Sequence, residues 1–162
     1  MRRHLGRILV LGLVLSLVMG VAATVAANGN GRSYSADLSG DGEVPAVATD
    51  ATGRATFQAA KNGTVLNFQV VVKDLDDATQ AHIHLGAPDA NGNIVAFLFG
   101  FANPAVSGNG RLATGTLTDA DLINDLNGQT IADLITQIEA GNAYVNVHTV
   151  VHPGGEIRGQ IS

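Results

Sequence analysis

The sequence predicts an all-β domain, a Greek-key-like β-sandwich or barrel of about eight strands with one or two short helices. Three observations carry this. Short segments alternate apolar and polar side chains, as half-buried strands do. Turn residues separate them: 20 of the 162 residues are glycine, and Asn-Gly steps stand at Asn62-Gly63 and Asn91-Gly92. A clear helical period shows only in Ile131 to Ala140.

In chain order, residues 1–27 read as a secretory signal peptide. Arg2, Arg3 and Arg7 form a positive start, Ile8 to Val21 is an uncharged apolar run, and Val25-Ala26-Ala27 offers small residues for cleavage. The competing reading is an uncleaved membrane anchor, because the uncharged run through Ala27 is just long enough to span a bilayer. Either way the chain is exported, to a secreted, periplasmic or cell-surface location. With no cysteine, it has neither a lipid-bearing thiol nor disulfide staples. Residues 28–31, Asn-Gly-Asn-Gly, form a flexible linker, and residues 32–162 form one domain.

Arg32 to Leu38 is the first expected strand, followed by a long connection in which Pro45 favours an extended path. Gly53 to Ala60 is the second, and Lys61-Asn62-Gly63 turns into Thr64 to Val72. There Leu66, Phe68, Val70 and Val72 share one face. Asp74, Asp76 and Asp77 read as a solvated turn before Thr79 to Leu85. Asn91-Gly92 turns the chain into the apolar run Ile94 to Phe99. Asn103 to Gly110 reads as a loop, Arg111 to Leu117 as a strand, and Thr118 to Asp121 as a capped helical turn. In the helix, Ile131, Leu134, Ile135 and Ile138 form one apolar stripe, with Thr130 as its cap and Gly141 as its stop. Ala143 to His148 and Gly155 to Ile161 complete the strands.

Charge excludes several functions. Without the leader, six basic residues stand against fourteen acidic ones, a net charge of −8. No basic cluster is present, which argues against nucleic acid or anionic lipid as a partner; membrane contact is expected only through an uncleaved N-terminal segment. There is no Gly-x-Ser-x-Gly elbow and no phosphate-cradling loop. Hydrolytic chemistry would have to rest on a metal-bound water, and a non-enzymatic role is the favoured reading.

The chemistry-bearing residues are histidines. His82 and His84 flank Ile83, so on a strand both rings project from one side, roughly 6.6 Å apart at Cα. In Tyr144 to Thr149 and Gly155 to Gln160 one parity is apolar (Val145, Val147, Ile157). The other is polar: Tyr144, Asn146, His148, Glu156, Arg158 and Gln160. His148 therefore has the right parity to join the pair, and His152, four residues on, can close the site or stay solvated. Without thiols, a metal held by such a cluster is bound by imidazole or oxygen; copper is favoured on affinity and zinc on abundance. Tyr144, Asn146, Glu156 and Arg158 stand around the ligands or serve the sheet. Glu156 and Arg158 are expected to pair across strands, with acceptance of a ring proton by Glu156 as the functional alternative. The structural reading of the whole cluster has the rings hydrogen-bonding to Asn146, Glu156 and Arg158. Asp89 to Asn93 only faintly resembles a calcium loop, with its glycine misplaced and Gly100 where a glutamate is needed.

These blocks also carry a family resemblance. Ser39-Gly40 through Glu43-Val44-Pro45, Ala81-His82-Ile83-His84-Leu85-Gly86, Asn91-Gly92, Tyr144 to Thr149 and Gly154 to Gln160 together resemble a CHRD domain, the module named for chordin. The resemblance spans nearly all of Arg32 to Ile161. It implies an extracytoplasmic β-sandwich and no particular reaction; in animals such modules occur in an extracellular antagonist of bone morphogenetic proteins. The His-x-His strand is also similar in pattern to the copper ligand pair of copper–zinc superoxide dismutase, a Greek-key barrel. The expected function is thus an exported binding module holding a copper or zinc ion. The alternatives are an extracellular protein- or matrix-interaction domain with structural histidines, and a superoxide dismutase-like metalloenzyme.

Overall fold

The computed structural model describes residues 31–162; the segment expected to be a signal peptide, and the expected linker up to residue 30, lie outside the described residues. Seven antiparallel strands form one sheet that closes into a barrel. They are β1 (Ser33–Ser39), β2 (Thr52–Ala59), β3 (Leu66–Leu85), β4 (Ile94–Phe99), β5 (Val106–Leu117), β6 (Ala143–Thr149) and β7 (Ile157–Gln160). The helix α1 (Ile131–Glu139) and three single 3-10 turns complete the domain.

The order β2-β1-β7-β6-β3-β4 closes because β3 is long enough to belong to both ends of the sheet. Its first half pairs with β2 and β5, its second half with β4 and β6. The two strands and the acidic turn expected between Thr64 and Leu85 are therefore one element, and the strand count is seven. Asp74 and Asp77 sit at φ 54° and 51°, and the pairing with β5 shifts register between Val72 and Leu75 and again between Leu75 and Ala78. Each shift is a bulge that bends the strand without ending it. Between the bulges the buried positions Val72, Leu75 and Ala78 fall three apart instead of two. The acids are exposed, so the solvated part of the expectation stands while the turn does not. Likewise β5 begins at Val106, inside the segment expected to be a loop, and β7 begins only at Ile157.

The barrel interior takes one parity from the second half of β3, from β6 and from β7 (Ile83, Val145, Val147 and Ile157), with Leu66 and Val70 from the first half of β3. Each fully buried aliphatic side chain contributes roughly 1.5–3 kcal/mol, which lets a chain without disulfides keep its fold. Helix α1 forms as expected: Thr130 and Asp133 make a capping box, and Gly141 ends it at φ 74°. Its stripe of Ile131, Leu134, Ile135 and Ile138 is buried in the core, and Glu139 ties it to Tyr34 and Arg32 at the start of β1. Among the described residues no helix is long and apolar enough to cross a membrane.

Candidate metal centre

The outer face of β3, β6 and β7 carries the other parity, and it is buried too. His82 pairs in register with Asn146, His84 with Tyr144, and Asn146 with Arg158. His148, two residues beyond Asn146, is the diagonal neighbour of His82. Connecting segments lie over this face: 86–93 from β3 to β4, the chain from Glu43 to Ala51, and 150–156 before β7. The result is a polar layer beneath loops, back to back with the apolar core.

His82, His84 and His148 converge there, with relative exposures of 0%, 8% and 6%. One ligand nitrogen from each lies within 4.8 Å of the others. An ion with bonds of roughly 2.0–2.1 Å holds such nitrogens roughly 3.3–3.6 Å apart, so modest side-chain movement closes the set. Nδ1 of His84 lies 2.9 Å from Gly92 O, and Nδ1 of His148 lies 2.9 Å from Pro153 O. A carbonyl only accepts, so both rings carry their proton on Nδ1 and present bare Nε2 atoms. His82 Nδ1 lies 3.0 Å from His148 Nε2 and must donate to it, which leaves His82 Nε2 bare. Nε2 of His82 and of His84 are buried without a hydrogen-bond partner. Orphaned lone pairs in a protein interior are uncommon, and backbone carbonyls at the far side of two rings are the support that metal-ligating histidines use. The residues fit a metal ion.

Burial keeps the rings neutral. Desolvation drives His82 down to about 3, with smaller contributions from His148 and His84. It also lowers His84 and His148, against the raising effect of their carbonyl partners.

The surrounding residues do different work from that expected. Glu156 and Arg158 do not pair. Glu156 accepts from the hydroxyls of Thr49 and Thr149 at 2.7 and 2.6 Å. Arg158 donates to Asn91 Oδ1 and to the carbonyls of Ala87, Pro88 and Ala90, clamping the 86–93 segment. Nor do the imidazoles bond to Asn146, Glu156 or Arg158, the partners that a purely structural role was expected to use. Asn146 donates instead to Glu43 Oε1 at 2.7 Å. Tyr144 stacks on His84, centroids 4.8 Å and planes 10° apart, and receives Gly92 N–H on its hydroxyl. His152 stands outside the trio. Its backbone builds the turn before β7, taking N–H groups of Thr149 and Gly155 on its carbonyl.

Three participants escaped the sequence reading. Gly92 was seen only as a turn residue. A side chain there would put Cβ 1.4 Å from Leu85 O, and this close approach aims the Gly92 carbonyl at His84. Glu43 is buried, 7% exposed, in a connection of small residues that gives no periodic signal. Phe97 opposes His82 across β3 and β4, its ring edge-on to the imidazole at 4.5 Å. Position within the apolar run Ile94 to Phe99 hid its outward face.

Comparison with known proteins agrees with the resemblance in the blocks. The CHRD domain family model matches residues 34–161, essentially the whole folded chain, and the chain belongs to that family. No curated protein and no solved structure matches it.

Proposed function

We propose that this CHRD domain is an exported metal-binding module that holds one copper or zinc ion through His82, His84 and His148. The observation that carries the reading is the convergence of three buried neutral imidazoles, two with bare Nε2 atoms that nothing in the protein satisfies. A metal bound there supplies a Lewis-acid or redox centre. The chain's own residues do the rest: the Gly92 and Pro153 carbonyls orient two ligands, Tyr144 stacks His84 in place, and Arg158 holds the covering loop. The leader read from the sequence supports work outside the cytoplasm.

The test is titration of the purified protein with copper and zinc, by calorimetry, beside a His82→Ala, His84→Ala double variant. One equivalent should bind to the parent and none to the variant at the same affinity. Equal binding by both proteins would end the proposal.

A protein-interaction role is the second reading, favoured by exposed Phe101, Val150 and Val151, at 76%, 60% and 75%. Wild-type thermal stability after EDTA treatment, with no metal in the purified protein, would shift the assignment to it.

A further inference from the structure

Resting on the metal-binding reading, we infer that the site prefers monovalent copper to a divalent ion, and that Phe97 and Arg158 set the preference. Three features of the site point the same way.

The donors are three neutral imidazoles, and no carboxylate belongs to the cluster. Whatever charge the ion brings therefore stays in a buried place. The cost of burying charge rises steeply with its magnitude, so a second unit is penalised far more than the first. The nearby acids are turned to other partners and do not ligate: Glu156 accepts from Thr49 and Thr149, and Glu43 from Asn146.

A fixed cation adds to that penalty. Strand β6 lies between β3 and β7, so Tyr144 has His84 on one side and Arg158 on the other. The guanidinium carbon lies 3.4 Å from the Tyr144 ring centroid, and the ring itself stacks on His84. Positive charge is thus held one aromatic ring away from a ligand.

Coordination number is the third feature. Zinc completes a tetrahedron, with water as the fourth ligand where the protein offers three. Copper(I) is satisfied by three nitrogens in a plane. Phe97 stands edge-on to His82, an apolar side chain beside the trio that offers a water ligand no hydrogen-bond partner. Both ions have filled d shells, so comparing them isolates charge and ligand number from ligand-field effects.

The experiment uses the purified full chain under anaerobic conditions. Copper(I) is titrated against bicinchoninate and zinc(II) against a chromophoric chelator, for the parent, Phe97→Ala and Arg158→Gln. Copper(I) should bind the parent more tightly than zinc, with one equivalent bound. Phe97→Ala, at a partly exposed position, should shift the copper-to-zinc affinity ratio toward zinc by about tenfold, the lower end of what residues around a ligand shell contribute. Arg158→Gln should move it the same way, with circular dichroism checking that the clamped loop has not cost the fold. Zinc binding as tightly as copper(I) to the parent, or a ratio unmoved by Phe97→Ala, would overturn the inference and leave the metal site standing. Absence of binding by either ion would remove the site itself.

Discussion

His82 and His148 share one proton-bearing contact, Nδ1 to Nε2 at 3.0 Å, and that contact is a direct hydrogen bond between two neutral rings. It follows from the carbonyl of Pro153, which holds the His148 proton on Nδ1 and so makes Nε2 an acceptor. A metal ion must replace this bond, and the protonation pattern of the metal-free site is therefore a measurable signature.

Long-range nitrogen–proton correlation spectra of the metal-free protein should show His82, His84 and His148 all as Nδ1–H tautomers at neutral pH. On metal binding, His84 and His148 should keep that proton while their Nε2 resonances shift. An Nε2–H tautomer at His84 or His148 would mean that the carbonyl anchors do not hold.

Glu43 gives the fold an unusual pH dependence. Burial raises its carboxyl to about 7 from the ordinary 4.5, against the opposing pull of Arg158. Folded protein therefore retains a proton that unfolded chain releases. The stability from the neutral carboxyl is full below about pH 4.5 and is lost as pH rises through about 7. Glu43→Gln, which cannot ionise, should match the parent near pH 4.5 and exceed it by roughly 2–3 kcal/mol at pH 8. Urea unfolding at the two pH values measures the difference; a constant offset would refute the assignment. His82 acts with opposite sign. Its contribution is full above 6.5 and is lost as pH falls toward about 3, which both proteins share.

Gly155 should tolerate no side chain. Its φ is 128°, and a Cβ would lie 2.2 Å from Asn146 Nδ2 and 2.6 Å from Glu43 Oε1. Gly155→Ala should cost roughly 1–3 kcal/mol from backbone strain alone, with the displaced Asn146–Glu43 pair adding to it. An unchanged melting temperature would show that the turn before β7 relaxes freely.

Stability and metal affinity should separate in the helix. Leu134 is fully buried in α1 and has no part in the polar layer. Leu134→Ala should cost roughly 2–5 kcal/mol and leave metal stoichiometry unchanged under conditions where the protein stays folded. Loss of binding by folded Leu134→Ala protein would mean that core and site are coupled more tightly than their separate faces imply.

Much of the fold was legible because side-chain alternation is local. Ile83 between His82 and His84 already placed the two rings opposite the core, and the parity of Val145 and Val147 did the same for His148. The helix was readable from its stripe and from Thr130 and Gly141 at its ends. The continuity of β3 was hidden, because three acids within four residues look like a turn, and only pairing with β5 turns them into bulges. The Glu156–Arg158 pair was expected from shared parity, but Glu156 took the hydroxyls of Thr49 and Thr149 and Arg158 took the 86–93 segment, partners that parity does not describe.

The amino-acid sequence by itself determined which residues face outward together, since a strand's two-residue period depends on nothing beyond the strand. Tertiary structure decided that β6 lies beside β3, that distant loops bury the outer face, and that the Gly92 and Pro153 carbonyls hold two ring protons. Those are contacts between segments far apart in the chain, set by how the barrel closes, and no local pattern encodes them.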